Sequence, residues 1–301
     1  MKLIKPSFEI WEQESGLEGI YKMIEKVGRV CYKSEDKITE GTAKPFADRL
    51  MKSGHGAMLE HGTVYLMISS NKAYDAFGDN WVIDSYGGSP YSIVRHSKED
   101  YCVTTNLRVL VENDWLDDLK YLCEPTEYHV KRVTVHFVCD RGVSHEFVRH
   151  RTFSFAQEST RYCNYSKDKF GNELTFIIPC WLDSYNYNGN TYSNCFLTAL
   201  EAAEASYFDL LKKWDDKIPD KRYKTGFRNN PWTPQQARAV LPNALKTELV
   251  MTGFVDESGW INFFSLRSRL AKTGKPHPQA QELADPLMDE FVKRGIMELL
   301  L

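Results

Sequence analysis

Two kinds of apolar periodicity occupy separate parts of the chain without alternating regularly, and this limits the fold more than any single motif does. In Lys131-Arg-Val-Thr-Val-His-Phe-Val-Cys139 the apolar residues recur at every second position. Val133, Val135, Phe137 and Cys139 therefore share one face, and Arg132, Thr134 and His136 the other, as in a strand with a core-facing side. From Tyr192 to Trp214 the step changes. Phe196, Leu200, Ala203, Tyr207, Leu210, Leu211 and Trp214 follow mostly three or four residues apart, which aligns them on one stripe of a long amphipathic helix. Pro278 can open a further helix at its first turn, with Leu283, Leu287 and Phe291 facing inward. Residues 17–29, 233–241 and 256–270 also read as helical, and residues 63–68, 101–111, 174–178 and 245–254 as strands. Strands and helices do not follow one another as β-α-β units, so the expectation is α+β: a central, mostly antiparallel sheet with long helices. The 301 residues contain no internal repeat and no Pro/Gly/Ser linker, which favours one domain spanning 1–301. The polar stretch 71–100, including Ser85-Tyr-Gly-Gly-Ser-Pro90, reads as a surface insertion.

Composition removes several function classes. A formal charge of −3 lacks the basic excess of a protein that mainly grips nucleic acid, so any phosphate site must be local. No uninterrupted apolar run approaches the roughly 20 residues of a membrane helix. Met1–Glu12 has neither a hydrophobic h-region nor a small-residue cleavage site, so no secretory signal is expected. The seven cysteines are scattered, with no Cys-x-x-Cys pair, which fits reduced thiols in a cytoplasmic setting better than a disulfide framework or thiolate zinc site. Gly54-His-Gly56 is followed by Leu59 where a third glycine would complete a dinucleotide fingerprint, and no P-loop is present.

Chemistry concentrates between Asp140 and Tyr162. Arg141, Arg149, Arg151 and Arg161 lie there with His145, His150, Ser154, Ser159 and Thr160. Guanidiniums supply permanently charged bidentate donors, and hydroxyls with backbone N–H groups complete an anion cradle. Such a segment suits a phosphate-bearing ligand. His145-Glu-Phe-Val-Arg-His150 is one residue too long for the zincin motif: on a helix an i,i+5 pair lies about 140° apart, so no metal is expected there.

Arg149-His150-Arg151, then Ser159 after seven residues, then Arg161, resembles the signature of the flavin-dependent thymidylate synthases. Three more landmarks follow in the family's order: Glu60-His61-Gly62-Thr63 before a strand, Ala237-Arg238-Ala-Val-Leu-Pro242, and Asn262-Phe-Phe-Ser-Leu-Arg267 ahead of His277-Pro-Gln-Ala-Gln281. The resemblance implies reductive methylation of deoxyuridylate (dUMP) to dTMP in a homotetramer with inter-subunit active sites. FAD would be the cofactor, 5,10-methylenetetrahydrofolate the carbon donor and NADPH the electron donor. It implies FAD contacts from His61, Thr63, Arg149, His150, Arg151, Gln157 and Asn262. It implies dUMP contacts from Glu146, Arg149, Gln157, Glu158, Ser159, Thr160, Arg161, Arg238 and Arg267, with Arg238 coming from a neighbouring subunit. Ala156-Gln157 stands where the family most often has Asn-Glu, and Glu146 where it often has Gln. Flavin contacts that follow the strand at 245–254 are placed at Asp256–Ser258.

Uracil C5 is a weak nucleophile, and two devices can activate it. One is cysteine addition at C6; the other is a cation that stabilises negative charge spread over the ring. Pro179-Cys180-Trp181 resembles the folate-only synthases' Pro-Cys-Gln, but nothing cationic adjoins Cys180 in sequence, and it reads as a buried structural thiol. Arg267 is the expected catalytic group, a planar donor fork for N3 and the adjacent carbonyl. The competing reading is a nucleotide- or RNA-binding module that uses the Arg149–Arg161 cradle without catalysis.

Overall fold

A computed structural model describes residues 1–74, 80–182, 191–212 and 231–298. The period-two segment becomes the middle of the main sheet. Its strands are β2 (Ser7–Trp11), β6 (Arg132–Asp140), β7 (Ser154–Gln157) and β9 (Lys246–Phe254), in the order β2-β6-β9-β7 with every pairing antiparallel. Strands β3 (Thr63–Ser69), β4 (Ile93–His96) and β5 (Asp100–Asn106) form a second antiparallel sheet in the order β3-β5-β4. A parallel pair joins β1 (Lys2–Ile4) to β8 (Thr175–Ile177). This mixture of separate sheets and helices is α+β.

Eight α-helices are described: α1 (Gly16–Tyr32), α2 (Ala43–Lys52), α3 (Leu107–Glu112), α4 (Arg141–Phe147), α5 (Thr191–Leu211), α6 (Pro234–Ala237), α7 (Trp260–Arg267) and α8 (Pro278–Lys293). The alternation along β6 divides the interior as its sequence implies. Val135, Phe137 and Cys139 are buried against Trp260, Phe263 and Phe264 of α7 and Leu283, Leu287 and Phe291 of α8. Each such large side chain contributes roughly 1.5–3 kcal/mol on burial, so this aromatic layer fixes α7, and with it Arg267, against the sheet. The opposite face carries Thr134 and His136, which bond to Thr252 and Glu248 of β9.

Two sequence expectations change. The strand read over 101–111 stops at Asn106, whose side chain accepts the Val109 N–H at 3.2 Å and so caps α3. Residues 71–100 do not simply lie on the surface. Ala73, Val82 and Tyr86 are fully buried and Ile93–His96 completes the second sheet, because apolar side chains within the polar stretch plug its core; residues 75–79 lie outside the described residues. Helix α5 is described to Leu211, with Leu200 and Tyr207 buried and Tyr192 exposed, while Trp214 lies outside the described residues.

Candidate active site

Strand β6 runs directly into α4 because Asp140 caps it, one carboxylate oxygen accepting the Val143 N–H at 2.7 Å. The other oxygen accepts from Gln279 at 2.6 Å, which ties α4 to the first turn of α8. Helix α4 ends at Phe147, and the chain turns through Arg149 N–H to Glu146 O (3.3 Å) and His150 N–H to Phe147 O (3.1 Å). His145 and His150 therefore belong to different local structures: His145 is exposed on the helix and His150 is buried beyond it.

His150 packs against Phe263 with ring centroids 5.1 Å apart and meets Phe153 edge-on at 6.2 Å. Phe153 in turn lies over Gly253 of β9, where a Cβ would come within 2.5 Å of its ring, so the close approach requires glycine. Arg267, the last residue of α7, donates from Nε to His150 Nε2 at 3.2 Å and from Nη1 to Glu146 Oε2 at 2.6 Å. Its Nη2 also reaches the Glu146 carbonyl at 3.3 Å. A guanidinium only donates, so His150 Nε2 carries the lone pair and its proton sits on Nδ1. Burial, with the Arg267 charge, pushes the His150 imidazole down to about 4, so it is neutral at physiological pH. Glu146 also lines a cleft of about 340 Å³ with Asp140, Trp181, Phe196, His277 and Gln279.

A second group forms where β7 ends. Ser159 N–H donates to the Cys31 carbonyl near the end of α1 (3.0 Å), and Ser159 Oγ accepts the Arg161 N–H (3.3 Å). Arg161 Nε bonds Gln235 at 3.0 Å, and Arg238 Nη1 lies 3.5 Å from Thr160 Oγ1. Arg238 was expected from a neighbouring subunit; it already borders Thr160 of its own chain. Gln157 links this turn to α4, donating to Ser144 Oγ at 2.8 Å and to Thr247 Oγ1 at 3.3 Å. Arg149 and Arg151 flank His150, both exposed, and neither guanidinium forms a hydrogen bond among the described residues. Free paired guanidiniums on either side of a buried imidazole suit a diphosphate. The cleft beside Glu146 is at the small end of ligand pockets. Asn262 is half-buried in the first turn of α7, in the same helix as Arg267.

Other assigned residues point elsewhere. His61 is fully buried; its Nδ1 bonds Thr252 Oγ1 at 2.7 Å, and burial together with the Arg132 charge lowers its pKa to about 3. It offers no open edge to a flavin. Thr63 is also buried, its backbone held on both sides by the Gln13 side chain, although it borders a separate cavity of about 420 Å³. Glu158 turns inward and is 2% exposed, its carboxylate held by Tyr165 and Lys246, so it does not face a ligand. Asp256 accepts from Ser258 and from the Gly259 N–H at 2.8 Å, so it closes the turn before α7 rather than facing outward. Cys180 is exposed, not buried, because β8 ends at Ile177.

Residues 123–294, more than half of the chain, match the family model described as thymidylate synthase complementing protein. The chain belongs to that family. It is 23% identical over 265 residues to a flavin-dependent thymidylate synthase from Corynebacterium diphtheriae, covering 87% of this chain and 73% of that one. It is 32% identical over 128 residues to a protein of the same name from Mycolicibacterium gilvum, covering 42% of this chain and 46% of that one. Among solved structures, a UMP/dUMP methylase PolB from Streptomyces cacaoi bound with 5-Br dUMP aligns at 18% identity and a TM-score of 0.41, covering 97% of this chain and 93% of that one. No helix among the described residues is long and apolar enough to cross a membrane.

Sequence reasoning missed Asp140 and Gln279, which set the angle between α4 and α8. Their signal was present: an Asp between a period-two strand and Arg-Gly-Val is a helix-cap pattern.

Proposed function

We propose that the chain is a flavin-dependent thymidylate synthase that methylates dUMP to dTMP, with 5,10-methylenetetrahydrofolate as carbon donor and NADPH as electron donor. The observation that carries this reading is the fixed Arg267 guanidinium, held by His150 and by Glu146, which itself lines a cleft. Family membership supports the reaction class, and the relatives' printed names support the flavin.

Bound FAD would supply the hydride and carry electrons from NADPH. Arg149 and Arg151 are the groups free to hold its diphosphate, with Asn262 on the neighbouring helix. The chain's own contribution to uracil activation is electrostatic. Arg267 cannot lose its proton, and its anchoring pays the ordering cost before substrate arrives. Neutral His150 orients the guanidinium without adding a competing positive charge. Glu146 pairs with Arg267, which answers the problem of a carboxylate near an anionic substrate: the pair is close to neutral. Ser159, Thr160, Arg161 and Arg238 form the phosphate side. No protein nucleophile is required, and Ser159 has no histidine at its hydroxyl to act as base. The exposed arginines also fit a homotetramer in which another protomer covers the flavin, in the cytoplasm where NADPH and reduced folate are supplied.

An absorbance scan of the purified protein, followed by tritium release from C5-labelled dUMP with FAD, NADPH and methylenetetrahydrofolate, tests the proposal. A yellow protein that releases tritium supports it. A colourless protein that binds nucleotides or RNA and releases none overturns it in favour of a binding module.

A further inference from the structure

A buried ionic network lies directly behind the Ser159–Arg161 turn, and the reaction as described makes no use of it. Glu158, the residue before the turn, is anchored three times: its N–H donates to Glu248 O at 2.9 Å, Oε2 accepts from Lys246 at 2.8 Å, and Oε1 accepts from Tyr165 at 2.9 Å. Lys246 also donates to Glu248 Oε1 at 2.7 Å. Glu248 collects two more donors, Lys33 at 2.9 Å and His136 Nε2 at 2.9 Å. Lys33 comes from the end of α1, where it adopts a left-handed backbone (φ 48°), and it bonds Glu35 as well. The carbonyl that receives Ser159 N–H, that of Cys31, is two residues away on the same helix end. His136 is itself held by stacking on Trp11, with centroids 4.7 Å apart. Thus α1, β6 and β9 all converge on Glu248, and Lys246 is the side chain that joins its carboxylate to that of Glu158.

We infer that Lys246 is a positioning residue for the nucleotide phosphate: by bridging Glu248 and Glu158 it sets the turn that presents Ser159, Thr160 and Arg161. The inference rests on the proposed dUMP site. The charges support it. Lys33 and Lys246 face Glu158 and Glu248, with Glu35 at the half-exposed rim, so each buried carboxylate has a cation. Burial opposes ionisation of Glu248, but the His136 bond and the two lysines outweigh it and hold the carboxyl far below the usual range. Without Lys246, the Glu158 carboxylate keeps only the Tyr165 hydroxyl, and a buried carboxylate so reduced turns toward water, pulling on the Glu158 N–H bond to Glu248 O. Because the backbone of Glu158 leads straight into Ser159, that turn moves the cradle while leaving Arg267 and its partners on α4 and α7 in place.

The test is a comparison of dUMP KM and kcat for the wild type, Lys246→Met, and the double variant Glu158→Gln/Lys246→Met, alongside the spectrum of bound flavin. Lys246→Met should raise the KM for dUMP roughly tenfold or more while kcat stays within about threefold and the flavin spectrum is unchanged. The double variant, which removes the orphaned charge, should recover part of that loss. Unchanged KM in Lys246→Met overturns the inference. So does a parallel fall in kcat and flavin content, which marks a merely structural role. Should Lys246→Met not fold, the double variant is read by the same criteria. A wild-type protein that binds no dUMP instead overturns the proposed function itself.

Discussion

The two halves of the candidate site are built on opposite plans. Around Arg267 the polar groups are assembled before any ligand arrives: Glu146 and His150 orient the guanidinium, Phe263 and Phe153 exclude water from the imidazole, and the α7–α8 aromatic layer holds the helix still. At the cradle, Arg161 and Arg238 are exposed and, among the described residues, their side chains meet neutral partners, Gln235 and the Tyr162 ring for Arg161 and Thr160 for Arg238, so their charge stays available. A group that must stabilise charge formed only during reaction gains from being pre-set in a dry place. One that recognises a phosphate charged from the start gains little from rigidity and more from reach. Rate should therefore be lost from the first half and affinity from the second.

The sharpest break between the halves is Arg267→Ala. Turnover measured as dTMP formation should fall about a thousandfold, with kcat taking most of the loss. Near-normal kcat would erase the distinction.

A second prediction uses acid. His150 and His61 are depressed to about 4 and about 3, both mainly by burial, against ordinary values near 6.5. Between those limits the unfolded chain binds more protons than the folded one, so stability rises with pH and is lost as pH falls below about 6.5. Melting temperature measured from pH 7 to pH 4 should drop steadily. His150→Gln should flatten that slope by an amount on the order of 2–3 kcal/mol across the window.

On the cradle side, Arg238→Ala should raise the dUMP KM about tenfold with kcat within a few-fold, and added salt should narrow the gap from wild type. The smallest effect belongs to Cys180→Ser. Burial of its thiol, modest though it is, raises the pKa rather than lowering it, so turnover should stay within about twofold.

Much of this organisation is legible in the linear chain where a local rule governs. The alternation Val133–Cys139 marks the central strand and its core face, and Pro278 with Leu283, Leu287 and Phe291 marks α8 and its buried side. What stays hidden depends on distant partners. Strand β7 is four residues long and acquires its identity only by pairing with β9. Glu158, within a run of ligand-binding residue types, reads as substrate-facing until Lys246, 88 positions away, is seen to claim it. The burial of His61 is hidden for a similar reason: the hydroxyl that its Nδ1 bonds, Thr252, lies 191 positions away. The pairing of Glu146 with Arg267, 121 positions apart, likewise turns an awkward carboxylate into part of the apparatus. Motif spacing finds the residue types; only packing decides which side each faces.

The central claim is that a pre-set guanidinium, not a thiol, activates the pyrimidine. Its most direct test is the intact mass of the protein chain, acid-quenched during turnover with dUMP, methylenetetrahydrofolate and NADPH. The account predicts the mass of the unmodified chain throughout. A population heavier by one nucleotide, mapping to Cys180 or any other cysteine, would contradict it.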